Sequence, residues 1–450
     1  MMRKLFVSFA VVFIASILFS ATAYATTLRI GLLRGFSSRT SVNISNTHIT
    51  VGRGFADGNF TAARDLHSAN GFTVQMQNGQ VAIASGGTVQ FTFVAGVDGN
   101  PQMRVPGDGV ITMNSESFRG AMEFLPTGGT FTAVNVIDIE AYLYGVVPAE
   151  MPPSFHMEAL KAQAIASRTF AVHSVSLGRH RQQGFDLCNT YCCQVYNGVN
   201  AEYETTTQAV HETRGLMMFY EDEPILASYF SSSGGNTDNS ENVWVDALSY
   251  LRGVPEIAPE HEPMVWTRTF TWEQLTQAAQ SGGANIGTVT GVSIDRVASG
   301  GRVQGLTFIG TNGRWTRGSE NVRSAFTTIG GALPSRNFNI NGFSPTSETV
   351  HITSGTASSQ GSLSNFQIIT HTGTTTAMAT VAEAYVYNGT DMQRFTSDAA
   401  IITGGNGITV NGRGWGHGVG MSQRGAEGMA QEGFSFMDIL RHYYTGVEIR

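Results

Sequence analysis

Residues 146–173 read VVPAEMPPSFHMEALKAQAIASRTFAVH. A single acid, Glu150, stands between Pro148 and the pair Pro152-Pro153, directly ahead of an alanine-rich run. Proline is excluded from helix interiors, so Pro152-Pro153 close one element and open the next. A helix is predicted over 155–176, with Ser154 as its cap. Met157, Leu160, Ala164, Ile165, Ala171, Val172 and Val175 recur at spacings that make one apolar stripe. Lys161 and Arg168 lie seven apart, share a side, and are expected to flank a site. Two readings of Glu150 follow. It is a helix-capping or surface acid, or it is a catalytic acid whose pKa burial raises while the following helix N-terminus lowers it.

Upstream, RGAMEFLPTGGTFTAVNVIDIEAYLYGVV (119–147) reads as a hairpin running into a buried segment, and TLRIGLL (27–33) as a first strand. Between them come turn-punctuated strands such as FTVQMQ, VAIAS and VQFTFVA. Downstream, a second helix is predicted over 202–212, and ILASYFSSSGG (225–235) as a strand ending in a polar loop. Residues 267–336 mix one helix (WEQLTQAAQ) with strands (VTGVSIDRV, VQGLTFIG). The Ser/Thr-rich stretch 341–400 reads as an inserted β module. A helix in SQRGAEGMAQEGF, broken at Gly433, and a short one in FMDILRHYY close the chain. The expected class is α+β, a strand-rich core with a long helix after the Glu150 loop and an additional β-rich insertion. The expected division is 1–25 targeting segment, 26–110 β-rich N-terminal region, 111–340 core, 341–400 insertion and 401–450 completion of the core.

The first 25 residues, MMRKLFVSFAVVFIASILFSATAYA, carry Arg3 and Lys4, an apolar run and a small-x-small Ala23-Tyr24-Ala25. They read as a signal peptide or a retained N-terminal anchor, and hence an exported chain. The 450 residues carry a net charge of −7, which argues against nucleic acid as a partner but not against a largely uncharged glycan.

The three cysteines, Cys188, Cys192 and Cys193, fall within FDLCNTYCCQVYNG, too close together to staple a domain. Thiolates with one imidazole suit a structural zinc, and His180, just past the helix end, is the best fourth ligand. Adjacent cysteines do not easily both point inward, so either Cys192 or Cys193 is a candidate bystander. In NGRGWGHGVGMSQRGA (411–426), alternating glycines frame Trp415 and His417. The segment lacks a nucleotide-binding context and reads as a cleft wall, or as a turn around a core tryptophan. Ser231 to Ser233 lack the GxSxG context of a nucleophile and read as substrate-contacting hydroxyls.

Taken in order, RGAMEFLP, VNVIDIEAYLYGVVPAEMP, ALKAQAIASRTFAV, FDLCNTYCCQVYNGV, ILASYFSSSGGNTDNSENVW, SYLRGVPE and GRGWGHGVGMSQRGAEGMAQEGFSFMDILRHYYTGV resemble the stage II sporulation protein D (SpoIID/LytB) family. The resemblance covers about residues 27–32 and 115–450. It implies a lytic transglycosylase that cuts the MurNAc–GlcNAc β-1,4 bond of peptide-denuded peptidoglycan strands. The MurNAc 6-hydroxyl would attack its own anomeric carbon, giving 1,6-anhydro ends, in sporulation and engulfment. Glu150 would be the acid and then the base, and zinc would be structural. Some clostridial relatives carry a histidine where Cys192 stands. Expected sugar contacts are Lys161, Arg168, Tyr229, Ser232, Ser233, Trp415, His417 and Gln423. Expected partners are peptidoglycan glycan strands and other engulfment or cell-wall proteins. Two alternatives stand beside this reading: a hydrolytic muramidase using Asp186, Glu241 or Asp246 as second acid, and a non-catalytic wall-binding protein or amidase modifier.

Overall fold

The computed structural model describes residues 27–107, 109–341 and 401–450, and between 349 and 396 the backbone of six strands. The expected signal peptide or anchor lies outside the described residues. Among those described, no helix is long and apolar enough to cross a membrane. The fold is mixed α+β.

The hairpin expected from 119–147 forms as Ala121–Thr127 paired with Thr130–Asp138, antiparallel and in register from Ala121↔Val136 to Thr127↔Thr130. It is the middle of a seven-stranded sheet. Thr27–Gly31 and then Leu187–Cys188 lie on one side of it; Asn100–Arg104, His48–Gly54 and Phe60–His67 lie on the other. A six-stranded sheet packs against it, and residues such as Ile30, Val51, Val74, Ile83, Phe124 and Phe131 form one shared core.

Asp138 ends the hairpin and caps the next helix, Ile139–Glu150, accepting from the Glu140 N–H at 2.9 Å. Glu150 is therefore the last residue of a helix, not part of a free loop. Pro148 lies within that helix's last turn.

The long helix runs Met157–Leu177. Its expected cap, Ser154, is corrected. The backbone N–H of Phe155 turns back to the Pro152 carbonyl, and His156 takes the capping position, its Nδ1 accepting from Glu158 N–H at 3.3 Å. The helix is buried on nearly every side from Ala159 to Thr169, Lys161 being the exception. Ala164 and Ala171 face the double-sheet core, whereas Ala159, Leu160, Ala162, Ile165 and Ala166 face a second core. The alanines are thus the consequence of a helix packed between two layers, where larger side chains would force those layers apart.

The second core gathers Met151, Met421, Met429, Ile439, Leu440 and Tyr443. It holds the two C-terminal helices, Gln423–Gln431 and Phe436–Tyr443, against the long helix. The expected break at Gly433 is present, with φ +87°. The stretch ILASYF contributes only the two-residue strand Tyr229–Phe230, parallel to Met421–Ser422. A third core around Phe270, Leu306, Phe308, Phe326 and Val410 is covered by the helix Trp272–Ser281 and two three-stranded sheets. Within 341–400 the described strands form three antiparallel hairpins.

Candidate functional site

Glu150 sits at the meeting of the first two cores. Its Oε1 accepts the Val195 N–H at 2.9 Å. Burial pushes its carboxyl above the ordinary glutamate range, and the Val195 N–H and Tyr229 hydroxyl pull the other way by donating to it. The Tyr229 hydroxyl in turn accepts from Gln194 Nε2 at 3.1 Å, and Gln194 Nε2 also reaches the Ser167 carbonyl at 3.2 Å. Gln423 Nε2 donates to the Glu150 carbonyl at 3.0 Å and to Gln163 Oε1 at 3.3 Å, and Gln163 donates to Ser167 Oγ at 3.0 Å. Four separate stretches of chain thus tie their polar groups around one helix end. Glu150, Tyr229 and Gln423 are brought together, and Gln423 spends its amide on protein groups.

The glycine-rich segment continues the cluster. Trp415 forms a backbone ladder with Ser232, N–H to carbonyl in both directions at 2.7 and 3.1 Å, and its side chain stays 45 % exposed. His417 is pinned. Its Nδ1 accepts the Val419 N–H, so Nε2 carries the proton and donates to the Tyr229 carbonyl at 3.1 Å. Burial between Phe230 and Trp244 pushes its pKa down to about 3, so the ring is neutral. Its expected hydrogen bond to a sugar is corrected, because both ring nitrogens are engaged within the protein.

Ser232 and Ser233 are fully buried and serve another acid. Glu260 accepts from Ser232 Oγ, the Ser233 and Gly234 N–H groups, and Ser422 Oγ, at 2.6 to 3.2 Å. Their expected role as sugar contacts is corrected accordingly. Beside them Glu256 accepts from the Tyr443 hydroxyl at 2.5 Å, and burial raises its pKa to about 7.

Lys161 and Arg168 do share a side of the long helix, but they do not flank an open site. Lys161 pairs with Glu158 at 3.0 Å and Glu212 at 2.8 Å. Arg168, 1 % exposed, holds Glu140 bidentately at 2.7 and 2.9 Å and donates to the Leu216 carbonyl. A guanidinium taken out of water needs such a fork-to-carboxylate match, which is why it turns inward.

Two of the expected second acids of a muramidase are engaged elsewhere. Asp186 accepts the Arg29 N–H at 2.9 Å, and Glu241 is paired with Arg252 at 2.6 Å. Asp246 is exposed.

His180, Cys188, Cys192 and Cys193 form a cluster that could hold a metal ion, with one donor atom from each within 4.8 Å of every other. His180 Nε2 lies 3.3 Å from Cys193 Sγ and 3.8 Å from Cys192 Sγ. Tetrahedral zinc with its usual bond lengths sets ligand atoms roughly 3.5–3.8 Å apart, close to these values. Gln183 Oε1 holds His180 Nδ1 at 2.5 Å, which leaves Nε2 to face the thiols. A turn returns the Cys193 N–H to the Thr190 carbonyl and sets the sulfurs of both adjacent cysteines within reach of His180 Nε2, Cys192 remaining exposed. Within the Cys188–Cys193 pair the Cys188 thiol is held low by its neighbour, and the Cys193 thiol is pushed up in turn.

The sequence reading missed Gln163, Ser167 and Gln194, which complete the Glu150 network, and the Glu256/Glu260 pair. Gln163 and Ser167 carried a signal: polar residues four apart among the alanines of the predicted helix. Gln183, the outer partner of His180, gave none.

A family profile described as SpoIID, stage II sporulation protein, matches residues 127–220. An uncharacterized protein of Brachyspira hyodysenteriae is 30% identical over 340 residues, covering 75% of this chain and 73% of that one. The stage II sporulation protein D of Bacillus subtilis is 30% identical over 331 residues, 70% of this chain and 76% of that one. A Bacillus subtilis protein named amidase enhancer is 28% identical over 333 residues, 68% of this chain and 40% of that one. That last name belongs to a protein that raises another enzyme's activity. It overturns the expectation of a lytic transglycosylase, and with it the MurNAc–GlcNAc cleavage and the 1,6-anhydro ends.

Proposed function

The chain belongs to the stage II sporulation protein D family, and on that premise we propose that it is a non-catalytic, wall-associated accessory protein that binds peptidoglycan glycan and raises the activity of a separate cell-wall amidase. The observation that carries this is the relative named amidase enhancer, aligned over 68% of this chain. The Glu150 geometry is consistent with it. The carboxylate is occupied by the Val195 N–H and the Tyr229 hydroxyl, and serves to pin the 195 segment to the helix end. In this reading the exposed ring of Trp415, fixed by its backbone ladder to Ser232, is the glycan contact.

His180, Cys188, Cys192 and Cys193 would hold a structural Zn²⁺ that ties the end of the long helix to the 188–193 turn. The metal's contribution is cross-linking alone. Two relatives carry the name stage II sporulation protein D, and the proposed setting is a wall-remodelling assembly of the same kind, outside the cytoplasm.

The test adds purified protein to a cell-wall amidase acting on intact peptidoglycan. The expected result is a several-fold faster release of stem peptides, with no new saccharide ends from the protein alone. Unchanged amidase rates, or glycan ends made without the amidase, would overturn the proposal.

A further inference from the structure

The exposed face of a three-stranded sheet carries a groove that the Glu150 cluster does not use. Its strands are Val265–Thr271, Gly407–Arg413 and Phe338–Ile340, with Gly407–Arg413 in the middle. Successive strand residues alternate faces. The even-numbered Phe270, Ile408, Val410 and Ile340 fill the third core, so the odd-numbered residues meet solvent. The register sets Thr267, Asn411 and Asn339 side by side across all three strands. One step along, Arg413 lies opposite Val265, and its N–H reaches the Asn337 carbonyl at 2.9 Å. These residues line a groove of about 710 Å³, within the range of small-ligand sites.

The lining has a distinct chemistry. In a chain of net charge −7, none of the lining residues is acidic. Asn339, Asn411, Thr267 and Arg413 supply its polar groups, while Asn337 is buried with its Nδ2 donating to the Gly234 carbonyl at 3.2 Å. A carboxamide offers a donor and an acceptor together, the match for a sugar hydroxyl or an acetamido group. Thr267 Oγ1 donates to Asn411 Oδ1 at 2.9 Å, which fixes that amide's orientation and assigns its Nδ2 as a donor. Trp266, on the core side of the sheet, is held rigidly beneath this face: its Nε1 donates to the Gly414 carbonyl at 3.2 Å, and its ring lies over Gly412, where a Cβ would fall 2.1 Å from it. The Asn411 amide is therefore set before any ligand arrives, which lowers the entropic cost of binding. A single arginine is too little for a polyphosphate chain, and suits one carboxylate.

We infer that this groove is a second saccharide site, taking a short stretch of N-acetylated amino-sugar chain, with Arg413 placed for the carboxylate of a lactyl ether on alternate sugars. The choice of sugar rests on the wall-associated reading; the groove itself stands on its own residues.

The test titrates the purified protein calorimetrically with the tetramer of N-acetylglucosamine, then repeats the titration with Asn411→Ala/Arg413→Ala and with Arg413→Ala alone. Arg413 is exposed and its sheet bonds are backbone ones, so the single variant guards against misfolding. The double variant should bind about ten-fold more weakly or lose one of two binding events, while Trp415→Ala affects only the other. A muramyl-containing tetramer should bind the native protein more tightly than the simple tetramer, and Arg413→Ala should erase that preference. Unchanged tetramer binding by the double variant, or no binding by the native protein, would overturn the inference. Failure of amidase stimulation with groove binding intact would instead count against the proposed function alone.

Discussion

The side-chain amide of Gln423 donates to the backbone carbonyl of Glu150 at 3.0 Å, joining residues 273 positions apart. Helix ends leave carbonyls without intrahelical partners, and here the C-terminal segment supplies one. The consequence is that the glycine-rich segment and the Glu150 helix cannot part without stranding a polar group.

Replacing Gln423 by alanine leaves the Glu150 carbonyl and the Gln163 amide under-bonded in a buried place. The expected loss is about 1–3 kcal/mol of stability, read from urea unfolding. A midpoint that does not move would show that water replaces the amide at no cost.

Arg168→Met strands the Glu140 carboxylate among apolar neighbours, and about 3–5 kcal/mol of destabilisation is expected. The double change Arg168→Met/Glu140→Leu should recover most of it, because the desolvation penalty goes with the charges. If the double variant is no more stable than the single one, the pair contributes something other than charge neutralisation.

The pH profile should carry the mark of Glu256. Its folded pKa is raised to about 7 by burial, above its unfolded value of roughly 4.3. The folded state therefore binds more protons between these values. The contribution is fully present below about pH 4 and lost as pH rises through 7, by roughly 4 kcal/mol at most. Glu256→Gln, which keeps an acceptor for the Tyr443 hydroxyl, should flatten stability between pH 5 and 7. A slope unchanged by that substitution would place the titration elsewhere.

Metal removal should loosen the end of the long helix. We expect about one zinc per chain by elemental analysis, and a fall in thermal midpoint on chelation that Cys188→Ser reproduces without chelator. A protein free of metal after purification under metal-replete conditions, and indifferent to chelators, would refute the assignment.

The long helix was legible because its signals are local. Proline excludes helix on one side, small apolar residues recur at helical spacing, and both facts lie within about twenty residues of sequence. The cysteine cluster was legible for the same reason, since His180 to Cys193 span a single connection. Ser154 failed as the cap because Phe155 turns back on Pro152 and moves the helix start to Met157, a choice of turn that spacing does not resolve.

By itself, then, the sequence determined the alternation of strands and helices, the hairpin before Glu150, the grouping of His180 with the three cysteines and the family. Only the tertiary structure decided which polar groups face one another. Whether Arg168 faces a cleft or Glu140, whether Ser232 greets a sugar or Glu260, and whether His417 is free or pinned depend on chain segments tens to hundreds of residues away. A buried polar side chain must find its partner wherever packing has put one, and the packing of two cores against one helix is not a local property of any stretch of sequence.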